Sequence, residues 1–532
     1  VTTSTAAITD TVDSPPDPHR WLVLTVVCIA TYAVLVDTSI INVALPTFVR
    51  ELGASTTELK WIVDAYNLAF ASLVLVGGSL GDRFGRKTTL LVGLAIFAFG
   101  NLAATTMSSA AGLIAMRAVM GVGAALVFPA TLSIITNTFT DRAERAKAIG
   151  LWGAMTGLGV ASAPIIGGWV IEQGSWQWVF AVVVPIAAVA FALTMWRVPQ
   201  SADPSTPPLD LGGLGLSIVA LAGLVAAIIQ GPDWGWTGAG TLALFGIASA
   251  AGAAFVAWEL RRDHPMLDVS LFGNLRFTAA SGSVTFAFFA LFGFIFLITQ
   301  YFQFVRGYSP FESGLRVIPV AMSIAIASIF GTRAAVHFGN KVVVAGGLVS
   351  MSIAFAWISI ASAATPYVEI VGQMIFLGLG LGFTSAPATE AIMGVVPTEQ
   401  AGQGSAVNDA TREVGGTLGV AVIGSVFASV YAATLATQPG WDQVPPEARS
   451  RAEDGIGLAF GVVERLAPDL PAGAAPTLVD GAVRSFMDGL AAGCLVAAGV
   501  TLAAAVMVAA LLPSRPGEPH QHTVRSHADH AA

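Results

Sequence analysis

Asp37, Asp64 and Arg117 are ionisable residues standing inside long apolar runs. A charged side chain in hydrocarbon costs several kcal/mol unless paired or hydrated, so each needs a partner or a task. Asp37 lies about sixteen residues into its run, about 24 Å from the start at about 1.5 Å per residue. Asp64 and Arg117 each lie about one helical turn inside their own runs, counted from the opposite side of the apolar layer. All three therefore fall at similar depth. A carboxylate there can take up a proton or a cationic group, and Arg117 can hold it ionised until something separates them. The alternatives are a static buried ion pair and, for Asp64 nearer the surface, snorkelling to water.

A second group lies later in the chain. Glu390 closes one apolar run, and Asn408, Asp409, Arg412 and Glu413 open the next. Asp409 and Arg412 are spaced to pair on one helix face. Asp409 and Glu413, one turn apart, repel if both are charged, which favours one protonated acid or a bound cation. A structural network closing a gate is the alternative.

The stretch Gly77-Gly78-Ser79-Leu80-Gly81-Asp82-Arg83-Phe84-Gly85-Arg86-Lys87 sets one acid among bases, on what reads as a short turn between two spans. Its glycines would let the segments pack closely. Asp82 can sit on a neighbouring helix N-terminus, where the macrodipole favours negative charge by up to about 2 kcal/mol. Such contacts, made in one conformation only, would belong to a gate.

Two further patterns concern packing and binding. Gly153, Gly157, Gly159, Ala161, Ala163, Pro164, Gly167 and Gly168 form a stripe of small residues with an expected kink, suited to close helix contact in lipid. Phe286, Phe288, Phe289, Phe292, Phe294, Phe296, Tyr301, Phe302 and Phe304 crowd one run. Aromatic faces suit flat lipophilic cations, and Asn42, Tyr66, Phe288, Phe292 and Tyr301 are the candidate pocket residues. Most of the phenylalanines must nonetheless face lipid.

The elements carrying these residues follow from composition. The 532 residues are 55% hydrophobic and 11% charged. A soluble surface needs roughly 25% charge. Runs of about 20 apolar residues, enough to span a bilayer, recur about fourteen times between Trp21 and Leu512. The fold class is all-α integral membrane: two six-helix bundles plus a two-helix insertion. The expected divisions are a tail at 1–20, a first bundle at 21–198, a linker and hairpin at 199–276, a second bundle at 277–512 and a tail at 513–532. A large external loop is expected at 436–485, with a helical stretch at Pro446–Arg465 whose apolar face is Ile456, Leu458, Phe460 and Val463. The last span is expected at 486–512.

Phe338-Gly339-Asn340-Lys341 repeats Phe84-Gly85-Arg86-Lys87 at the same place in the second half, with Val336 opposite Asp82. Two related halves around a central cavity form a transporter architecture. Arg20, Arg83, Arg86, Lys87, Arg142, Arg145, Lys147, Arg197, Arg261, Arg262, Arg276, Arg333, Lys341, Arg515 and Arg525 fall on one side of the spans, whereas the short loops of the other side hold Arg50, Lys60, Arg306 and Arg316. That asymmetry places both termini in the cytoplasm.

Cys28 and Cys494 lie inside spans and read as packing residues. The tail histidines His520, His522, His527 and His530 form a weak His-rich tail that reads as disordered rather than as a metal site, and no Walker A loop points to ATP. No cofactor, metal or nucleic-acid partner is expected; the expected partners are lipid, protons and lipophilic small molecules, with the chain monomeric.

These motifs resemble the fourteen-helix drug:proton antiporter branch of the major facilitator superfamily. The segment 77–87 is similar to the superfamily's cytoplasmic signature, and Leu35-Val-Asp37-Thr38-Ser-Ile-Ile-Asn42-Val-Ala-Leu-Pro46 to the branch's first-helix signature. Arg117-x-x-x-Gly121 matches a motif associated with proton transfer. Gly159-x-x-x-Ala163-Pro164-x-x-Gly167-Gly168 matches the antiporter motif, and Trp61-Ile-Val-Asp64-Ala-Tyr66 is similar to the second-helix start of cationic-drug exporters. Ala163, Gln177, Val183 and Ile324 depart from the family pattern; Ile324 stands where some dication exporters place an acid. The resemblance implies a bacterial inner-membrane exporter of lipophilic, cationic drugs driven by the proton gradient. A dedicated exporter of one antibiotic, metabolite or lipid is the second reading. A non-transporting sensor is the third, but it would not need Asp37, Asp64 and Arg117 at one depth.

Overall fold

The computed structural model describes residues 18–52, 56–202, 210–262, 265, 267–471 and 473–513. The tail histidines and the Pro-rich centre of the linker lie outside them, as does the side chain of Asn42. Every regular element among the described residues is helical. The first seven are α1 (Arg20–Leu52), α2 (Thr56–Phe84), α3 (Arg86–Ala104), α4 (Ala110–Thr138), α5 (Arg142–Gln173), α6 (Trp178–Ala181) and α7 (Val183–Arg197). The hairpin α8 (Leu211–Trp234) and α9 (Ala239–Glu259) follows. The rest are α10 (Leu275–Gln300), α11 (Pro310–Arg316), α12 (Ile318–Phe338), α13 (Asn340–Ile358), α14 (Tyr367–Met393), α15 (Ala401–Leu435), α16 (Pro446–Glu453), α17 (Ile456–Leu466) and α18 (Ala474–Leu511). Among the described residues, 14 segments are long and apolar enough to cross a membrane, with α6–α7 and α11–α12 each forming one.

Local sequence sets the helix ends. Ser109 accepts from the Gly112 amide (3.2 Å) and Asp141 from the Glu144 amide (2.8 Å), satisfying first-turn donors of α4 and α5. Ser309 and Glu312 form a reciprocal capping box at α11. The α2–α3 junction is a single residue, Gly85, at φ 98°; Gly339 repeats it between α12 and α13 at φ 85°. Both lie in the left-handed region that a β-carbon disfavours, so glycine permits the abrupt reversal. The internal repeat is therefore matched residue for residue: Phe, Gly, then the first residue of the next helix.

In lipid, packing rather than water exclusion draws helices together. A β-carbon at Gly78 would lie 2.3 Å from the Gly402 carbonyl oxygen, so α2 and α15 cross backbone against backbone. The same holds for Gly157 against the Ala321 carbonyl, where α5 crosses α12. These two crossings join the first helical group to the second, and α8 lies along both α2 and α15.

Several expectations change. Residues 77–84 are not a turn but the last turns of α2, and Gly81 has room for a β-carbon, its nearest neighbour being 3.9 Å away. The loop expected at 436–485 ends at residue 473, because α18 begins at Ala474 and projects beyond the apolar run expected at 486–512. The stretch Pro446–Arg465 divides at Gly455 into α16 and α17. Ile456, Ala459, Val462 and Val463 form the buried face of α17, whereas Leu458 is exposed.

Candidate functional site

α1 and α4 bring Asp37 and Arg117 together. Arg117 Nη1 donates to Asp37 Oδ2 at 2.7 Å, and both side chains are at most 1% exposed. Arg117 Nε donates to the Ile62 carbonyl on α2 (3.0 Å), and the guanidinium lies 4.3 Å from the centre of the Tyr66 ring. Thr38 Oγ1 donates to the Tyr66 hydroxyl at 3.1 Å. Asp64 is half-buried on α2, two residues from Ile62. The pair is buried, so removing either charge strands the other, at a cost of about 3–5 kcal/mol for a buried ion left alone.

The second group is arranged differently from its spacing. Asp409 and Arg412 do not pair. Asp409 Oδ1 accepts from Asn408 (3.1 Å), and its Oδ2 is buried with no hydrogen-bond partner among the described residues. Arg412 Nη2 turns to Ser385 (3.2 Å) and Thr389 (3.3 Å) on α14. Its guanidinium lies against two rings, 4.7 Å from Trp152 on α5 and 4.8 Å from Phe288 on α10. Hydroxyls and aromatic faces outbid a carboxylate that helix geometry alone would have matched. Glu413 is half-buried on the same helix.

An aromatic chain connects the two groups. From Arg117 it passes through Tyr66, Phe70 (6.2 Å), Phe128 (5.7 Å) and Trp152 (6.0 Å) to Arg412, then Phe288 and Phe292 (6.3 Å). Trp152 is held by its indole N–H, which donates to Thr31 (2.9 Å) and Thr131 (3.2 Å). Tyr301 does not join this chain. It sits in a π-helical turn, Tyr301–Val305, and its hydroxyl donates to the Ser362 carbonyl.

The charged residues at the other ends of these helices, here called the basic end, fasten the two groups together. Asp82 accepts from the Gly402 (3.0 Å) and Gln403 (3.2 Å) amides in the first turn of α15. Arg86 donates to Asp82 (2.9 Å) and to the Thr398 carbonyl (2.8 Å). Lys87 donates to the Met195 carbonyl, and Arg83 lies beside Phe84. Glu390 makes no hydrogen bond to Asp409 among the described residues; it accepts from Arg142 of α5 (3.3 Å), Arg276 of α10 (3.5 Å) and Asn340 of α13 (3.2 Å). Glu390 therefore belongs geometrically with Asp82. Gly159 packs on Leu35, Gly168 on Phe311 and Pro164 against Gly314, with Gly167 buried beside them, so this stripe is a helix contact.

Sequence reasoning missed Trp152, Arg142, Arg276 and Asn340. A tryptophan immediately before a small-residue stripe was the available signal for Trp152. The others were read as topogenic charge or as a degenerate repeat.

Residues 27–420 match the sequence profile of the Major Facilitator Superfamily. The chain belongs to that superfamily. It is 34% identical over 490 residues to the multidrug efflux pump LfrA of Mycolicibacterium smegmatis, covering 92% of this chain and 96% of that one. It is 31% identical to the methyl viologen resistance protein SmvA of Salmonella typhimurium, over 88% of this chain and 93% of that one. It is 34% identical to the methylenomycin A resistance protein of Streptomyces coelicolor, over 74% and 82% respectively. In fold it resembles the human organic anion transporter MFSD10, with TM-score 0.63 at 14% identity, covering 92% of this chain and 100% of that one. As a superfamily member it is a multi-pass membrane protein of transporter type, not of enzyme type.

Proposed function

We propose that this chain exports lipophilic cationic drugs across a bacterial cytoplasmic membrane, exchanging them for protons by alternating access. The observation that carries the reading is the buried Asp37–Arg117 pair, deep in the first helical group and abutting the aromatic chain. Protonation of Asp37 would leave Arg117 a lone buried cation, so the proton can stay only if Arg117 is rehydrated or moved. That links proton uptake to a conformational change. A cationic substrate competes for the same carboxylate, giving exchange rather than cotransport.

The basic residues favour a cytoplasmic basic end. With that end fastened through Asp82 and Glu390, the arrangement corresponds to a state closed towards the cytoplasm. The names of LfrA and SmvA agree with cationic or multiple drugs; the methylenomycin relative favours the second reading, export of one antibiotic.

The test is ethidium movement in proteoliposomes under an imposed pH gradient. Wild type should move ethidium against its gradient, and Asp37→Asn should lose at least about 90% of that flux. Normal flux in Asp37→Asn would refute the assignment of Asp37. A broad panel of cationic, neutral and anionic compounds separates the two substrate readings.

A further inference from the structure

The setting of Arg412 is unusual for a buried cation. It is 7% exposed, and among the described residues its Nε has no hydrogen-bond partner and its hydrogen bonds go to two hydroxyls. An acid one turn away, Asp409, keeps a buried oxygen unpartnered. Two groups that could neutralise each other are thus held apart. What holds Arg412 instead is a pair of rings, Trp152 and Phe288, each with the guanidinium carbon over it at 4.7 and 4.8 Å.

The two rings come from different halves of the molecule. Trp152 stands on α5, pinned by Thr31 of α1 and Thr131 of α4, and Phe288 stands on α10. A planar, delocalised cation is the chemistry such a pair of rings selects, because the charge lies over both of them. Guanidinium is one such cation, and Arg412 supplies it from within the chain.

We propose that Trp152 and Phe288 form a clamp for the planar cationic part of the substrate, and that Arg412 is its internal occupant when substrate is absent. Incoming ligand displaces the guanidinium, which turns to the open oxygen of Asp409. The vacated clamp and the newly formed ion pair offset each other, so exchange carries little penalty. Because one jaw belongs to each half, occupancy of the clamp depends on how the halves are set. This inference rests on the cation-export reading above and adds to it the residues that select planar charge.

Direct binding separates the two. The full chain in lipid nanodiscs is titrated with ethidium, followed by fluorescence anisotropy. Arg412→Ala empties the clamp and should tighten ethidium about tenfold. Loss of a buried positive charge would tighten any cation, so a second arm decides. Adding Phe288→Leu to Arg412→Ala should remove most of that gain, whereas a purely Coulombic gain survives it. Trp152→Leu should act like Phe288→Leu; size-exclusion profiles and thermal midpoints show that each variant is folded, and Phe288→Tyr, which keeps the ring, should restore binding. Unchanged or weaker ethidium binding in Arg412→Ala overturns the clamp, as does a gain that persists without the Phe288 ring or absence of binding in both proteins. A wild type that binds ethidium by this pattern but does not move it under a pH gradient keeps the clamp and overturns the export reading.

Discussion

Replacing Asp82 with asparagine should open the basic end. Asp82 holds both amides at the start of α15, Gly402 at 3.0 Å and Gln403 at 3.2 Å, and is 7% exposed. A hydrogen bond to a charged group contributes about 1.5–3 kcal/mol, and an acid at a helix N-terminus gains up to about 2 kcal/mol more in partly buried settings. Asparagine keeps one acceptor oxygen but brings an NH2 against a backbone N–H and loses the charge facing Arg86. The net loss to the closed state is about 2–3 kcal/mol. At about 1.4 kcal/mol per tenfold, the closed-to-open ratio falls roughly 30- to 140-fold. Spin labels at Phe84 and Phe338 suit the measurement, since these residues end α2 and α12 and are 54% and 72% exposed. Pulsed electron resonance in nanodiscs should show the long-distance population rising in Asp82→Asn. Gly78→Val provides an independent route, because its β-carbon would strike the Gly402 carbonyl. Distance distributions unchanged in both variants would refute the assignment of this contact as the fastening.

Two further predictions follow the same geometry. Glu390→Gln should shift that equilibrium less than Asp82→Asn, because its partner across the halves, Arg142, is 45% exposed and solvent-screened. It should lower the thermal midpoint more, because Arg276, 8% exposed, is left as an unpaired buried cation; dye-based thermal scans compare the two. Trp441 is fully buried and donates to the Leu478 carbonyl at 3.0 Å. Trp441→Ala should cost about 3–5 kcal/mol of local packing, exposing α16 and α17 to limited proteolysis while the spans stay protected.

Much of the fold was legible because lipid imposes simple demands. Every backbone group needs an internal partner, so a long apolar run can only be a helix. The end of the last span was not legible. Ala474 to Arg484 is neither apolar enough to mark a span nor broken by a strong stop, and α18 continues through it because Trp441 and α17 pack on its side. Within the site, Asp37 and Arg117 were readable from depth alone, as buried charges need partners. The Asp409–Arg412 spacing misled because it compares only neighbours on one helix. Trp152 and Phe288, more than a hundred residues apart, set the other side of the comparison.

The sequence by itself determined that this chain spans a membrane many times, that it has two related halves, and which charges have to be accounted for. Those are consequences of composition, run length and the cost of charge in hydrocarbon, and they need no knowledge of neighbours. Only the tertiary structure decided which partner each charge takes: Asp37 with Arg117, Asp82 with the start of α15, Glu390 with Arg142, and Arg412 with two rings instead of Asp409. Partner choice is a competition among groups that are distant in sequence and adjacent in space, and folding is what enters them in it.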